Sequence, residues 1–252
     1  MKLSAVVITF NEERNIERCL HSLRGIVDEI VVVDSYSIDR TEEICVKQGV
    51  RFMQHPFEGH IQQKNFALAQ ASGDWILSLD ADEALDEMLR NSIMALKSSQ
   101  EFNGYRMNRL TNYCGHWVRH CGWYPDTKVR LVKKGTARWE GVNPHDRLDM
   151  THGEATGFLK GDILHYSYYS EEDHLKQIEY FGDISARELH KKGKHVSALM
   201  IGVKVGAQFF KSFFLKAGFL DGGTGWTISK LSAYATFRKY SKLSALNRQT
   251  HL

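Results

Sequence analysis

Asp80, Asp82 and Glu83 close a short apolar run, Trp75-Ile76-Leu77-Ser78-Leu79, and the two aspartates stand one residue apart. Carboxylates at that spacing can present oxygens to a single hard cation, and such a cation can hold a diphosphate. The competing reading is an acidic loop whose Asp82 and Glu83 cap the positive end of a following helix. Lys64, on the helical run before these acids, is a candidate for phosphate charge; a solvated helix lysine is its plain alternative. Phe10-Asn11 and Asp34 close two further apolar runs. An aromatic ring, a carboxylate and an acidic pair at neighbouring strand ends could stack a base, bond its edge and hold a metal-diphosphate. Neither G-x-G-x-x-G after the first strand nor G-x-x-x-x-G-K-[ST] occurs, so neither a dinucleotide fold nor a P-loop is supported.

The elements that must position these groups alternate. Leu3 to Phe10 is a β-branched run that suits a central parallel strand, with Asn11 as the expected cap of a helix carrying Ile16, Cys19, Leu20 and Leu23. Glu29 to Val33 reads as a second buried strand ending at Asp34, Ser37 and Asp39 open another helix, and Arg51 to Gln54 is a short third strand. Ala67, Leu68 and Ala71 recur at helical spacing before Ser72-Gly73, and Trp75 to Leu79 follows as the fourth strand. Strands and helices alternating at this spacing argue for βαβ units, a parallel sheet and ligands at its carboxyl rim.

At 252 residues the chain can bury a full core, and 42% hydrophobic with 25% charged residues is ordinary for a soluble globular protein. The net charge of +3 is unevenly placed. From Gly193 onward nine Lys/Arg face one acid, a net of +8, whereas Met1 to Lys192 holds 24 against 29, a net of −5. That asymmetry points to an anionic partner for the tail. Four cysteines at no disulfide-scaffold spacing imply a reduced, cytosolic setting. The N-terminal apolar run is too short for a signal peptide, and no uncharged run reaches membrane-span length, so no crossing of a membrane is expected.

VVITFNEERNIERCLHSL, EIVVVDSYSIDRT, QKNFALAQASGDWILSLDADE and GWYPDTKVRL, in this order over residues 3–131, resemble the GT-A glycosyltransferases of family 2. The likeness is nearest to the branch of lipopolysaccharide-core β-1,4-glucosyltransferases, and weaker similarity continues to about residue 243. The resemblance implies a GT-A fold and inverting transfer of a sugar from a nucleotide-diphosphate donor, usually UDP-linked. Asp80-Ala81-Asp82 matches the family's D-x-D, with the first carboxylate toward ribose and metal shell and the second on Mn²⁺ or Mg²⁺. Asp34 matches the acid that reads the uracil edge, Phe10 the ring that packs on the base, and Lys64 a basic donor contact; Thr9, Asn11 and Glu12 complete the donor set.

Residues 102–170 are less regular and are expected to build the acceptor side, with Tyr105 to Leu110 alternating as a strand. Trp123 and Tyr124 offer flat surface for a sugar face, with core packing as the competing account, and Asp126 follows them. An inverting transfer needs a base for the acceptor hydroxyl. Asn143-Pro144-His145-Asp146 falls where the family carries a His-acid pair, so Asp146 is the chosen base, ahead of Glu140 and Asp126. His-Asp stands here where His-Glu is frequent, which shortens the reach by one methylene. His165 matches the region from which several GT-A enzymes take a further metal ligand, a satisfied core histidine being the alternative. The Cys114, His116, His120, Cys121 spacing lacks a structural zinc pattern.

Glu171 to Lys192 reads as a covering helix with Leu175, Ile178 and Phe181 on one face. Over Ile201 to Leu220 five phenylalanines crowd an apolar face and Lys204, Gln208 and Lys211 fall opposite. Three lysines argue against a span, and a basic amphipathic helix with aromatics suits a membrane interface, with sheet packing or a dimer contact as alternatives. A glycine-rich link over Gly218 to Gly225 then leads into a final helix. The expected organisation is a GT-A domain over 1–192, its donor half to about 100 and acceptor half from 101, and a basic helical tail over 193–252. The expected activity is metal-dependent transfer of a hexose, glucose first, from a UDP-sugar to a lipopolysaccharide inner-core acceptor at the inner face of the cytoplasmic membrane. No nucleic acid is expected as a partner, and a homo-oligomer stays open. A polyprenyl-phosphate or other cell-surface glycan acceptor is the nearest alternative, and a non-catalytic carbohydrate-binding or scaffold protein the alternative of a different class. A sugar-nucleotide pyrophosphorylase is disfavoured by Asn11-Glu12-Glu13-Arg14 where a Gly-rich basic loop should stand.

Overall fold

The computed structural model describes residues 1–98, 100–142 and 145–249, and the chain divides into two compact units. The first comprises Met1–Leu110 and Asp126–Tyr166, the second Thr111–Pro125 and Ser167–Leu252. The boundary expected at residue 192 therefore falls inside the second unit.

The first unit is an α/β fold, as expected. Its strands β1 (Leu3–Thr9), β2 (Glu29–Asp34), β3 (Arg51–Gln54) and β4 (Trp75–Asp80) are parallel and lie in the order β3-β2-β1-β4. Short β5 (Glu83–Leu85) and antiparallel β6 (Gly104–Tyr113), β8 (Asp126–Lys133) and β11 (Gly157–Tyr168) extend the sheet past β4. Both sheet faces are apolar, which is why β1, β2 and β4 read as continuous apolar runs. Leu3, Ala5 and Val7 of β1 face a core shared with α1 (Ile16–Leu23) and α4 (Glu87–Leu96). Val6, Val31 and Val33 face α3 (His60–Gln70) and a hairpin of β9 (Ala137–Val142) and β10 (His145–Met150). The hairpin was not anticipated; Trp139 and Leu148 bury its inner face.

Helix α1 begins at Ile16, and Asn11 is not its cap. Asn11 sits at φ 53°, a left-handed conformation that Asn tolerates, and its Oδ1 accepts from the Ile38 amide at 2.9 Å. Its own amide donates to Ser37 Oγ at 2.7 Å, and Glu12 N–H donates to Thr41 Oγ1 at 2.8 Å. The loop after β1 is thus sewn to the loop leading to α2 (Thr41–Lys47).

In the second unit, β7 (His116–Val118) pairs with the end of β6, and α5 (Glu171–Lys191), α6 (Ala198–Phe210) and α7 (Gly222–Gln249) supply the bulk. The buried stripe of α5 is His174, Ile178, Gly182 and Ala186; Leu175 is exposed, contrary to expectation. A π-helical turn, Lys211–Leu215, and a 3-10 turn, Gly218–Asp221, connect α6 to α7, so the expected single helix over 201–220 is broken. The glycine-rich stretch is a close-packed corner, not a link. A Cβ on Gly225 would lie 1.8 Å from the Gly218 carbonyl oxygen. Among the described residues one stretch, Ala198–Leu215, is long and apolar enough by length and composition to cross a membrane. Only Lys204 and Lys211 interrupt it, because Lys216 falls beyond its end.

Candidate functional site

The strand register sets the site. Thr9 lies beside Asp34, and Ile8 beside Asp80, so the carboxyl ends of β1, β2 and β4 share one rim. The chain steps outward from β1 to β2 and β3 on one side and returns to β4 on the other. Such a reversal opens a crevice at the carboxyl ends, where ligands bind in open α/β sheets.

Across this rim runs a ladder of alternating charge. Lys64 Nζ lies 2.8 Å from Asp146 Oδ2 and 3.0 Å from Asp80 Oδ1. Arg130 Nη2 lies 3.4 Å from Asp80 and 2.8 Å from Glu83, and Arg109 joins Glu83 at 3.4 Å to Asp126 at 2.7 Å. Lys64 is therefore not a solvated helix lysine: it is 6% exposed and stands 4.3 Å from the centre of the Trp139 ring. Burial alone would raise the Asp80 carboxyl, but Lys64 and Arg130 overcome it and hold that group well below the usual carboxylate range. Asp126 is likewise lowered against the effect of its burial, by Arg109 and Lys128.

Asp82 stands apart from the ladder and meets a different partner. Antiparallel pairing of β5 with β11 places His165 opposite Glu83, and the Tyr166 amide donates to the Asp82 carbonyl at 2.9 Å. His165 Nε2 comes to 3.1 Å from Asp82 Oδ2. Two upstream residues hold β11 there. Asp86 caps α4 by accepting from Leu89 N–H at 2.7 Å and also accepts from Asp162 N–H at 3.0 Å. Gly161, at φ +102°, has no room for a Cβ, which would lie 2.2 Å from the Leu89 nitrogen.

Glu12 completes the acidic side. Its carboxyl is pushed up to about 7, by burial first and then by the neighbouring Asp82, Asp39 and Asp80, against a hydrogen bond from Asn15. Phe10 is 57% exposed, an available stacking surface, whereas Thr9 is buried and its hydroxyl has no hydrogen-bond partner among the described residues. Asp34 differs from expectation. It is fully buried, and both its oxygens accept from Ser37, from the amide at 2.8 Å and from the hydroxyl. In this arrangement it shapes the loop after β2, and each oxygen keeps a second acceptor site. Ala81 is buried between the two aspartates.

The residues expected on the acceptor side divide between the two units. Asp126 and Asp146 lie in the first. Asn143 and Pro144 of the motif holding Asp146, with the His145 side chain, lie outside the described residues. Trp123 and Tyr124 belong to the second unit, where Trp123 packs at 5.7–5.9 Å against Tyr113, Tyr168 and His174. Trp123 is partly buried and packs against the apolar cluster of that unit, as the core account has it. In the same unit His120 Nδ1 bonds Asp221 at 2.9 Å and His116 stands 3.6 Å from it, while Cys121 is buried and Cys114 exposed.

Three contributors were missed from sequence: Arg130, Trp139 and Glu83 as the acid between the arginines. Arg130 is 3% exposed, and its Nε and Nη1 have no hydrogen-bond partner among the described residues. A signal existed, because Arg130 interrupts the apolar run Val129-Arg130-Leu131-Val132. A guanidinium inside such a run must find acids or an anionic ligand.

Asp82 and His165 are the residues on this rim that could take part in holding a divalent cation. An octahedral ion with metal–oxygen bonds of about 2.1 Å sets neighbouring ligands about 3 Å apart. The 3.1 Å between Asp82 and His165 matches one such edge. Among the described residues no group of three His, Cys, Asp or Glu side chains is arranged to hold a metal, so most ligands would come from substrate and water.

The Glycosyl transferase family 2 profile matches residues 4–105, which include Thr9, Asp34, Lys64, Asp80 and Asp82. An uncharacterized glycosyltransferase of Rickettsia bellii is 32% identical, over 98% of this chain and 88% of its own length. The lipopolysaccharide core biosynthesis glycosyltransferase LpsC of Rhizobium meliloti is 27% identical, over 96% of this chain and 94% of its own. Among solved structures, S. aureus TarS 1-349 superposes with a TM-score of 0.48 at 16% identity, over 99% of this chain and 92% of that one. With a likeness running nearly end to end and a profile that brackets the donor rim, the chain belongs to glycosyl transferase family 2 and is a glycosyltransferase.

Proposed function

We propose that the protein catalyses metal-assisted, inverting transfer of a hexose, glucose first, from a UDP-sugar to a hydroxyl of a lipopolysaccharide inner-core acceptor. It would work as a GT-A enzyme attached peripherally to the inner face of the cytoplasmic membrane. The observation that carries the reading is the charge ladder at the β1/β4 crevice, in which Arg130 keeps two donor groups without a partner among the described residues. Lys64 and the unpartnered N–H groups of Arg130 suit the diphosphate of a nucleotide-sugar, and exposed Phe10 suits its base. The likeness to LpsC supports the lipopolysaccharide acceptor.

Asp82 and His165 would hold Mn²⁺ or Mg²⁺, which supplies charge neutralisation to the departing diphosphate. The acceptor oxygen attacks the anomeric carbon as the bond from that carbon to the diphosphate oxygen breaks. The electron pair leaves with UDP, and the hydroxyl proton passes to a carboxylate, Asp146 by this reading. Asp146 is ion-paired to Lys64 at 2.8 Å, so it is not free to take a proton while that contact lasts. A diphosphate arriving at Lys64 would compete for the ammonium and release Asp146, so donor binding would precede activation of the acceptor.

Calorimetric titration of UDP and UDP-glucose, with Mn²⁺ and with chelator, tests the reading, alongside Asp82→Ala. Metal-dependent binding lost in the variant is the expected result. Absence of binding under every condition would overturn it.

A further inference from the structure

Helix α6 is amphipathic in the inverted sense. Lys204 and Gln208 are half-buried, and Lys204 Nζ lies 5.1 Å from the Tyr240 ring of α7. Leu199, Val203 and Phe210, at spacings of four and seven, are exposed by 81, 59 and 53%, and no residue of the helix is buried. Phe214, Phe219 and Leu220 carry the exposed apolar surface past the two turns. Their placement is enforced from behind. Phe209 and Phe213 stack on one another and meet Trp226 edge-on at 5.2 and 5.5 Å, and Gly225 closes on Gly218.

The charge around this stripe decides its occupant. Residues 189–220 contain no acid. Exposed Lys191, Lys192 and Lys194 precede the stripe, and exposed Lys211 and Lys216 end it. The tail's positive charge is otherwise partly spent, since Arg238 and Lys242 pair with Glu179 at 2.6 and 3.0 Å. A second copy laid along the same stripe would set lysine-bearing ends against lysine-bearing ends, with no acid between them. Anionic headgroups meet those lysines, and acyl chains meet the stripe.

We propose that the outer face of α6, continued by Phe214, Phe219 and Leu220, docks in the plane of an anionic lipid leaflet. The inference rests on the peripheral attachment included in the proposed function and names its surface and lipid class; it does not depend on the transfer chemistry. Lys204 Nζ, 5.1 Å from the Tyr240 ring, ties the inner face of α6 to α7.

Flotation of the full chain with vesicles of phosphatidylcholine, alone or with added phosphatidylglycerol, tests it. Binding is expected only with the anionic lipid and is weakened by salt. Lys211→Gln and Lys216→Gln should each lower affinity about fivefold. Phe210→Ser with Phe214→Ser should lower it at least about tenfold, with UDP titration unchanged as the control for folding. The proposal is overturned if anionic vesicles do not bind, if neutral vesicles bind equally, or if the phenylalanine variant binds as the parent does. A lipid-free dimer dissolved by the same variant would assign the face to a second copy, and resistance to alkaline extraction from membranes would assign α6 to a span. Vesicle binding without UDP binding would leave this inference standing while the transfer reading falls, and the reverse result would remove this inference and the peripheral attachment while the transfer reading stands.

Discussion

The two units handle charge in opposite ways. In the first, Lys64 and Arg130 are almost wholly buried and alternate with Asp146, Asp80 and Glu83. In the second, the pairs of Arg238 and Lys242 with Glu179 and Asp183 stay partly exposed, and Leu199, Val203 and Phe210 of α6 are exposed. Burying ions is costly unless each has a partner, so the ladder stabilises little by itself. What it provides is a set of fixed cations and carboxylates at the crevice of a transferase. The second unit places its ion pairs between helices and leaves Leu199, Val203 and Phe210 of α6 exposed.

The sharpest way to break this contrast is to remove one cation from each unit. Lys64→Met leaves Asp80 and Asp146 without their shared ammonium and should cost about 3–5 kcal/mol. Arg238→Met should cost less than about 1 kcal/mol, as exposed pairs do. Urea midpoints measure both, and equal losses would dissolve the distinction.

Backbone packing gives the next largest effect. Gly225→Ala must force the corner apart and should cost about 3 kcal/mol. Gly223→Ala, two residues away with nothing within 4 Å of the new methyl, should gain about 0.5–1 kcal/mol. If the two variants melt alike, the corner is not the rigid support of Phe219 and Leu220.

Arg130→Lys keeps the charge but loses the planar fork. It should weaken UDP binding about tenfold by titration, with little change in melting. An unchanged affinity would place the diphosphate elsewhere.

The pH dependence of stability separates the units by its sign. Glu12 has its folded value raised from 4.5 to about 7, so its contribution to stability is present below 4.5 and lost as pH rises toward 7. Burial lowers the His174 imidazole of the second unit from 6.5 to about 4. The folded state then binds fewer protons than the unfolded one between those values, and stability is lost as pH falls from 6.5 to 4. Melting temperatures across pH 4 to 8 should lose the upper slope in Glu12→Gln and the lower slope in His174→Gln. If either variant keeps the parent's slope, that group is not the cause.

Much of the first unit was legible in sequence. The runs Leu3–Thr9, Glu29–Asp34 and Trp75–Asp80 could only be buried strands, because both their faces are apolar. The carboxyl-end rule then places Asp34, Asp80 and Asp82 on one rim without any coordinates. The corner at Gly218 to Gly225 was misread, since a glycine that frees a chain and one that lets two backbones touch look the same in sequence.

Residue type and near-neighbour spacing were enough for the buried strands, the acidic pair after β4 and the basic, phenylalanine-rich character of the tail. Three-dimensional packing was needed to show that Lys64 bridges Asp80 to Asp146, that Arg130 reaches Glu83 and that His165 meets Asp82. It also placed Lys204 of α6 toward Tyr240 and left Leu199, Val203 and Phe210 exposed. Each of these joins groups far apart in the chain or chooses between two faces of one helix. Periodicity marks a stripe, but which stripe is covered depends on what packs against it.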